Sequence, residues 1–140
     1  MTHYNLPHEH GQNINAVLDK MPDTEKFSQA ASVFAQLGDG TRLRILWLLC
    51  HCTECGSNIA AALSLSKALV SHHLQVLKKG HIVKSERSGQ EIYYSLADTQ
   101  EAKLLKETID AMFKILIPYA KIINIFRTIK RKAKHFFRRR

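Results

Sequence analysis

Three cysteines stand close together in the pattern Cys-x-Cys-x-x-Cys, at Cys50, Cys52 and Cys55. Their neighbours His51, Thr53 and Glu54 are polar, so core packing alone does not explain the cluster. As thiolates they suit ions that favour sulfur, namely Zn²⁺, Cd²⁺, Pb²⁺, Cu⁺ or three-coordinate As³⁺. In a continuous helix Cys52 and Cys55 would share a face and Cys50 would point away, so binding by all three requires a break. Redox-sensing thiols and structural cysteines are the alternatives.

A second set of side chains, on residues 58–79, is typical of DNA recognition. The pattern predicts a short helix, a turn at 64–66 with Ser66 as helix cap, and a second helix whose Val70, Leu74 and Leu77 share one buried stripe. Ser, His and Gln can contact base edges and lysines can contact phosphates. The alternative is the solvated face of an ordinary helix pair. The outward face comprises Lys67, Ala68, Ser71, His72, Gln75, Lys78 and Lys79.

A hairpin follows this helix directly. Two strand-like runs, 82–87 and 91–96, flank Ser88-Gly89, which can supply the positive φ of a tight turn, and Ile92, Tyr94 and Leu96 alternate inward. Near the tip we expect Lys84, Arg87 and Gln90 to contact the DNA backbone or minor groove. Helix, turn, helix and hairpin together predict a winged helix-turn-helix, a mainly α fold with a small β-hairpin.

The flanking elements are predicted to be helices. One runs from about 13 to 20 and stops at Pro22, a second runs from 23 or 24 to Gly38, and a third begins at Thr41. After the hairpin, Asp98 and Glu101 resemble a capping box that opens a final helix. That helix carries an apolar seam, either core or a pairing surface, at Leu105, Ile109, Met112 and Leu116.

The charge is unevenly distributed. The net charge is +9, yet residues 121–140 hold nine of the 21 Lys and Arg residues and no acid, which leaves twelve bases against twelve acids in residues 1–120. Residues 118–140 therefore form a basic tail, predicted to be an amphipathic helix. It can lie on an anionic membrane, contact DNA phosphates, pack on a dimer or stay solvated. Its apolar side comprises Tyr119, Ile122, Phe126, Ile129, Ala133 and Phe136.

The composition narrows the class of protein. At 140 residues we expect one domain, or one domain with an appendage. The first ten residues are polar and the cysteine count is odd, so no signal peptide is expected and the thiols are predicted to be reduced in a cytoplasmic protein. Nucleophile elbows, phosphate loops and paired catalytic carboxylates are missing from the sequence, which argues against an enzyme.

Several of these segments together resemble the ArsR/SmtB family of metal-responsive repressors. The matching pieces are Thr41 to Leu46, Val70 to Leu74, Leu77, and Tyr93 to Leu96, and the flanking helices extend the likeness to about residue 117. The resemblance implies a homodimer, paired through terminal helices, that binds operator DNA and releases it when a soft or borderline metal ion binds. No ion is then needed for folding. Where the family commonly has glycine in the turn, this chain has Ser64, at a cost of about 1 kcal/mol if the backbone there is left-handed.

The same resemblance bears on the ion ligands. The family's Cys-x-Cys motif falls on Cys55 and Ser57, so only its first ligand matches, and the cysteine spacing is similar to that of a trithiolate arsenic site displaced by about five residues. In some members the amino-terminal arm donates ligands to the partner subunit, which makes His8 and His10 candidates here. We therefore divide the chain into a His-rich arm at 1–12, the winged-helix domain at 13–117 and the tail at 118–140. A second family site is expected to be absent, because it maps to Asp98, Gln100, Ala111 and Lys114.

Overall fold

The computed structural model describes residues 5–8, 10–117 and 127–128. Within them helices dominate and a small antiparallel sheet supplies the wing, which confirms the predicted fold class. The predicted tail, 118–140, lies outside the described residues except for 127–128. The elements in chain order are α1 (Ile14–Leu18), α2 (Thr24–Ala35), α3 (Gly40–Leu49), β1 (Glu54–Cys55), α4 (Gly56–Leu63), α5 (Lys67–Lys79), β2 (Val83–Ser88), β3 (Glu91–Leu96) and α6 (Gln100–Leu116).

The chain divides into two compact units, residues 1–32 and 33–140. In the first unit, α1 begins where the side chain of Asn13 accepts a hydrogen bond from the backbone N–H of Ala16 at 3.2 Å. It ends at Leu18, two residues earlier than expected. Asp23 caps the start of α2 in the same way, accepting from the N–H of Lys26 at 2.9 Å. Both caps satisfy amides that have no partner within their helices.

The second unit has one apolar core. Helix α3 starts one residue before the predicted Thr41, because the Asp39 side chain accepts from the N–H of Arg42 at 2.8 Å. The predicted stripe of α5 is buried as expected, and α6 contributes Leu105 and Ile109. Burial of so many large aliphatic side chains is the main stabilising contribution to a unit of this size. Its largest fully buried side chains are Ile45, Leu46, Ile59, Val70, Leu74, Leu77, Ile82, Leu105 and Ile109.

The sheet has the order β1-β3-β2, with both pairs antiparallel. Strand β1 was not predicted; it pairs Glu54 with Tyr94 and Cys55 with Tyr93. The hairpin turn is Gly89-Gln90, because Ser88 already pairs with Glu91, so the predicted Ser88-Gly89 turn was one residue early. Gly89 has φ +64° and Gln90 does not have a positive φ, the pattern of a type II′ turn. Ile92 is 43% exposed, so the prediction that it points inward was wrong.

Helix α6 differs from expectation at its start. Its cap is Thr99, whose hydroxyl oxygen accepts from the N–H of Ala102 at 3.1 Å and also donates to the carbonyl of His81. The predicted capping box of Asp98 and Glu101 is therefore wrong. The apolar seam is buried only in its first half, since Met112 and Leu116 are 50% and 64% exposed.

None of the helices in the described residues has the length and hydropathy needed to cross a bilayer.

Candidate nucleic-acid interface and cysteine cluster

The turn between α4 and α5 is built by two serines. Ser64 takes the left-handed conformation, φ 56° and ψ 46°, in which its N–H reaches the carbonyl of Ala61. The resemblance described above places a glycine at this position in the family. Serine adopts the same left-handed geometry at a modest cost in free energy. Ser66 then caps α5, as predicted, by accepting from the N–H of Leu69 at 3.1 Å. The direction in which α5 leaves the turn is thus fixed by local backbone chemistry.

All seven predicted side chains of the outward face of α5 are exposed: Lys67, Ala68, Ser71, His72, Gln75, Lys78 and Lys79. Val70, Leu74 and Leu77, on the opposite side, are at most 1% exposed. The helix therefore separates a polar face, basic at both ends, from a fully buried apolar stripe. That division is what a helix needs in order to enter a major groove while its back is held by the protein.

The wing presents its predicted residues in the same manner. Lys84, Arg87 and Gln90 are all exposed, and Gln90 lies in the turn itself. The Arg87 side chain bends back over the tip, where its Nε donates to the carbonyl of Gly89 at 3.4 Å. Lys84 was predicted near the tip, but it pairs with Ser95 near the base of the hairpin, so that prediction was wrong. Two exposed cationic side chains, Arg87 near the tip and Lys84 near the base, make the wing suitable for phosphate contacts.

Behind the recognition face lies a polar contact that sequence reasoning only half anticipated. His72 and His73 are adjacent in a helix and point in different directions, so the sequence predicts that His73 is partly buried and hydrogen-bonded; it is 4% exposed. Its partners were missed: Nε of Arg42 donates to Nδ1 at 3.3 Å, and Asp39 Oδ1 lies 3.8 Å from Nε2. Because Nδ1 accepts, the neutral ring carries its proton on Nε2, facing Asp39. The contact joins the start of α3 to the middle of α5.

The charges of this contact follow from its surroundings. Burial lowers the pKa of His73, and the neighbouring Arg42 and His72 act in the same direction, against the opposing effect of Asp39. The pKa of Asp39 is lowered chiefly by the hydrogen bond from the backbone N–H of Arg42. At neutral pH the histidine is therefore uncharged and the aspartate ionised.

The three cysteines occupy three different environments. Cys50 is the half-buried C-cap of α3, Cys52 lies exposed in the loop beyond it, and Cys55 is a buried residue of β1. The helix breaks between Cys50 and Cys55, as a site using all three thiols requires. The Cys52 thiol donates to the carbonyl of Leu48 at 3.4 Å.

None of the pKa shifts resolved for these thiols favours thiolate. Burial raises the pKa of Cys50 to about 11. Desolvation, and then the charge of Glu54, raises the pKa of Cys52. A bound ion would have to displace these protons.

As donor types, three thiols fit a soft ion. Their arrangement does not yet form a site, since within the described residues no three Cys, His, Asp or Glu side chains are grouped so that they could hold a metal ion. His8 and His10 belong to the first unit, where their rings lie 6.1 Å apart. Asp98, which precedes α6 and is the one possible ligand of the second family site, is ion-paired with Lys103 at 3.3 Å.

The chain is similar to known bacterial regulators of transcription. Residues 39–85 match the family described as "Bacterial regulatory protein, arsR family". The chain is 34% identical over 104 residues to the transcriptional repressor SmtB homolog of Synechocystis, covering 74% of this chain and 79% of that protein.

Solved structures similar to this one include a winged-helix domain and an antimony-specific repressor. The homodimeric winged helix-turn-helix DNA-binding domain of Mb0332 from Mycobacterium bovis superposes with a TM-score of 0.54 at 28% identity, covering 75% of this chain and 88% of that domain. The antimony-specific transcriptional repressor AntR gives 0.56 at 26% identity, covering 66% and 85%. The SmtB homolog and AntR are transcriptional repressors, which confirms the prediction that the chain is a regulator and not an enzyme.

Proposed function

The chain belongs to the ArsR/SmtB family of winged-helix transcriptional regulators, and we propose that it is a homodimeric repressor released from its operator by a thiophilic ion. It would act in the cytoplasm, where operator and reduced thiols are both available. The observation that carries the DNA-binding part is the division of α5, with seven exposed, mostly polar or basic side chains backed by a buried stripe. Ser71, His72 and Gln75 would read base edges, and the lysines of α5 with Lys84 and Arg87 of the wing would hold phosphates.

Substitutions on the outward face test this part. Lys67→Ala and His72→Ala should each weaken binding to a duplex selected from a random library, by about 1 to 3 kcal/mol where a base contact is lost. Lys103→Ala is the matched control, because Lys103 is also an exposed cation but lies on α6. Fluorescence anisotropy at fixed salt measures the affinities. If both α5 variants bind as tightly as the parent, α5 is not the recognition helix.

The homodimer is proposed on the exposed apolar side of α6. Leu104, Met112, Ile115 and Leu116 are 45%, 50%, 81% and 64% exposed, a concentration that a single copy leaves in water. A second copy would cover this surface and present two recognition helices to a pseudo-palindromic site. Ile115→Glu should therefore yield monomers in sedimentation velocity, with Lys103→Glu on the same helix as the control. A dimer that survives Ile115→Glu would place the interface elsewhere.

For the inducer, we propose that Cys52 and Cys55 are the central ligands, with Cys50, His8 and His10 as the further donors. Three thiols in one short segment support a soft ion, and His8 and His10 could complete its coordination from the arm of a partner subunit. Raised thiol pKa values argue against redox sensing, since a thiol held in its protonated form is a poor nucleophile, and an ion would likewise have to displace these protons. The ion itself belongs to the set Zn²⁺, Cd²⁺, Pb²⁺, Cu⁺ and As³⁺.

Titration of reduced protein with Cd²⁺ tests the inducer site, with thiolate-to-metal absorption and operator affinity followed together. Cys52→Ser and Cys55→Ser should lose the response to the ion and keep operator binding, because a hydroxyl cannot replace a thiolate for a soft ion. Ser57→Ala is the control, at the position where the family's second cysteine would fall. Variants that release DNA at the parent's Cd²⁺ concentration would remove the cysteines from the sensing site. Loss of DNA binding without any ion would make them structural.

A further inference from the structure

A cavity of about 260 Å³ lies between α3, the end of α4 and the end of α6. This volume is slightly below the range of about 300 to 1,000 Å³ usual for drug-sized ligands, so the cavity suits a smaller molecule. The lining side chains are neither thiols, imidazoles nor carboxylates, so the cavity is chemically unlike the cysteine cluster. Its apolar lining comes from Leu43, Trp47, Leu48, Leu63, Phe113 and Ile117.

One charged side chain, that of Arg44, borders this apolar lining. Its Nη2 donates to the backbone carbonyl of Leu63 at 3.1 Å. In the part of the chain that the structure describes, Arg44 takes part in none of the ion pairs, which join His73 to Asp39, Lys103 to Asp98 and Lys106 to Asp110. A guanidinium has five N–H donors in a planar fork that matches a carboxylate, so this one retains donors for an anion.

The partner of Arg44 connects the cavity with the helix-turn-helix. Leu63 is the last residue of α4 and also lines the cavity, and the next residue is the left-handed Ser64 of the turn. The bond from Arg44 satisfies one of the carbonyls that the end of a helix leaves without an intrahelical partner. An anion that draws the guanidinium toward itself therefore acts on the segment that positions α5.

We propose that this cavity binds a small amphiphilic carboxylate, with its apolar chain against Trp47 and Phe113 and its carboxylate on Arg44, and that occupancy weakens operator binding through the contact between Arg44 and Leu63. The ligand class follows from the lining, since an apolar pocket bordered by one guanidinium that has no ion pair among the described residues complements an apolar chain with one negative charge. Binding stands independently of the proposed function. The effect of occupancy on operator affinity rests on the proposed function.

The chain offers its own reporter for binding. Trp47 lines the cavity and is the only tryptophan of the sequence, so emission excited at the red edge of tryptophan absorption, where the four tyrosines do not absorb, comes from this residue alone. Octanoate below its micellar concentration is the probe, and 1-octanol is the uncharged control. Octanoate should give a saturable blue shift of Trp47 emission and bind more tightly than octanol.

Arg44→Gln separates charge recognition from apolar contact. It should weaken octanoate binding about tenfold or more, the usual effect of losing a charge-assisted hydrogen bond, and leave octanol binding unchanged. Arg44→Lys, which keeps the charge, should retain most of the affinity and guards against a folding defect in the glutamine variant. Lys103→Gln, an exposed cation elsewhere on the unit, should bind as the parent does.

Three results would overturn binding: no saturable shift, equal affinity for octanoate and octanol in the parent, or emission that follows protein concentration and ignores octanoate. The last would mean that a second copy covers the cavity.

For the coupling, octanoate should lower operator affinity in the parent and not in Arg44→Gln. Saturated Trp47 emission with unchanged operator affinity overturns the coupling alone. Failure of the proposed function is distinguishable, since the operator would then not be bound even without octanoate.

Discussion

The proposed recognition surface, α5 with the wing, and the cysteine segment, residues 50–55, were equally visible in the sequence but differ in how far the fold completes them. Every predicted outward residue of α5 is exposed, its stripe is buried and its cap is formed. The cysteines instead lie in a helix cap, a loop and a strand. A DNA-reading face needs only one rigid helix, whereas an ion site needs several elements and here an ion, or a partner subunit, to bring them together. Preorganisation is therefore strong in the first region and weak in the second.

The largest effect that tests this contrast is on stability. Leu74→Ala, in the buried stripe of α5, should lower the free energy of unfolding by about 2 to 5 kcal/mol, because it removes packing and leaves a cavity. Cys52→Ala, in the exposed loop, should stay within about 0.5 kcal/mol of the parent. Urea unfolding followed by circular dichroism measures both. A Cys52 variant as damaging as the Leu74 variant would mean that the cysteine segment is as tightly built as α5.

A smaller effect is expected from pH, through the buried His73. Its lowered pKa means that the unfolded chain takes up a proton more readily than the folded one. The free energy of unfolding should therefore fall as the pH drops below about 6.5, the ordinary value for histidine, toward the lowered pKa of the folded state. The loss levels off below that value.

His73→Gln should flatten this dependence relative to the parent, in urea titrations repeated across the acid range. His72→Gln is the matched control, because His72 is adjacent but exposed. Equal pH slopes for the parent and the His73 variant would show that the contact of His73 with Arg42 and Asp39 does not govern acid stability.

The smallest effect concerns thiol accessibility in the folded state. Iodoacetamide near neutral pH should alkylate exposed Cys52 first, and Cys50 and Cys55 much more slowly, because both are shielded and the pKa of Cys50 is about 11. Mass spectrometry of timed digests gives the order. Simultaneous modification of all three cysteines would show that the segment opens as a whole.

Local patterns sufficed for most of the fold. The spacing of Val70, Leu74 and Leu77 predicted which side of α5 is buried, and Ser66 predicted where the helix starts, because both signals lie within a few residues. The misplaced features were also local. Thr99 and Asp98 are both good cap residues, and the hairpin turn could move by one residue without changing the strand composition.

The features that sequence reasoning missed depend on contacts between distant residues. Strand β1 is two residues long, too short for any alternation, and exists because Glu54 meets Tyr94. The bond from Arg42 to His73 spans 31 residues. For the ion site, the sequence shows which donor atoms are available but not how close they lie in space. No spacing rule relates a helix cap, a loop and a strand.

Strand β1 makes Cys55 a sheet residue as well as a thiol, because its backbone pairs with Tyr93 of the wing. An ion that displaces Cys55 from this ladder would loosen the wing, and a wing clamped on DNA would hold Cys55 in the ladder. Linkage then requires the two effects to be equal: the factor by which the ion weakens operator binding is the factor by which the operator weakens ion binding. Under the proposed function, release of an operator-bound protein would therefore need a higher ion concentration than ion binding to the free protein needs.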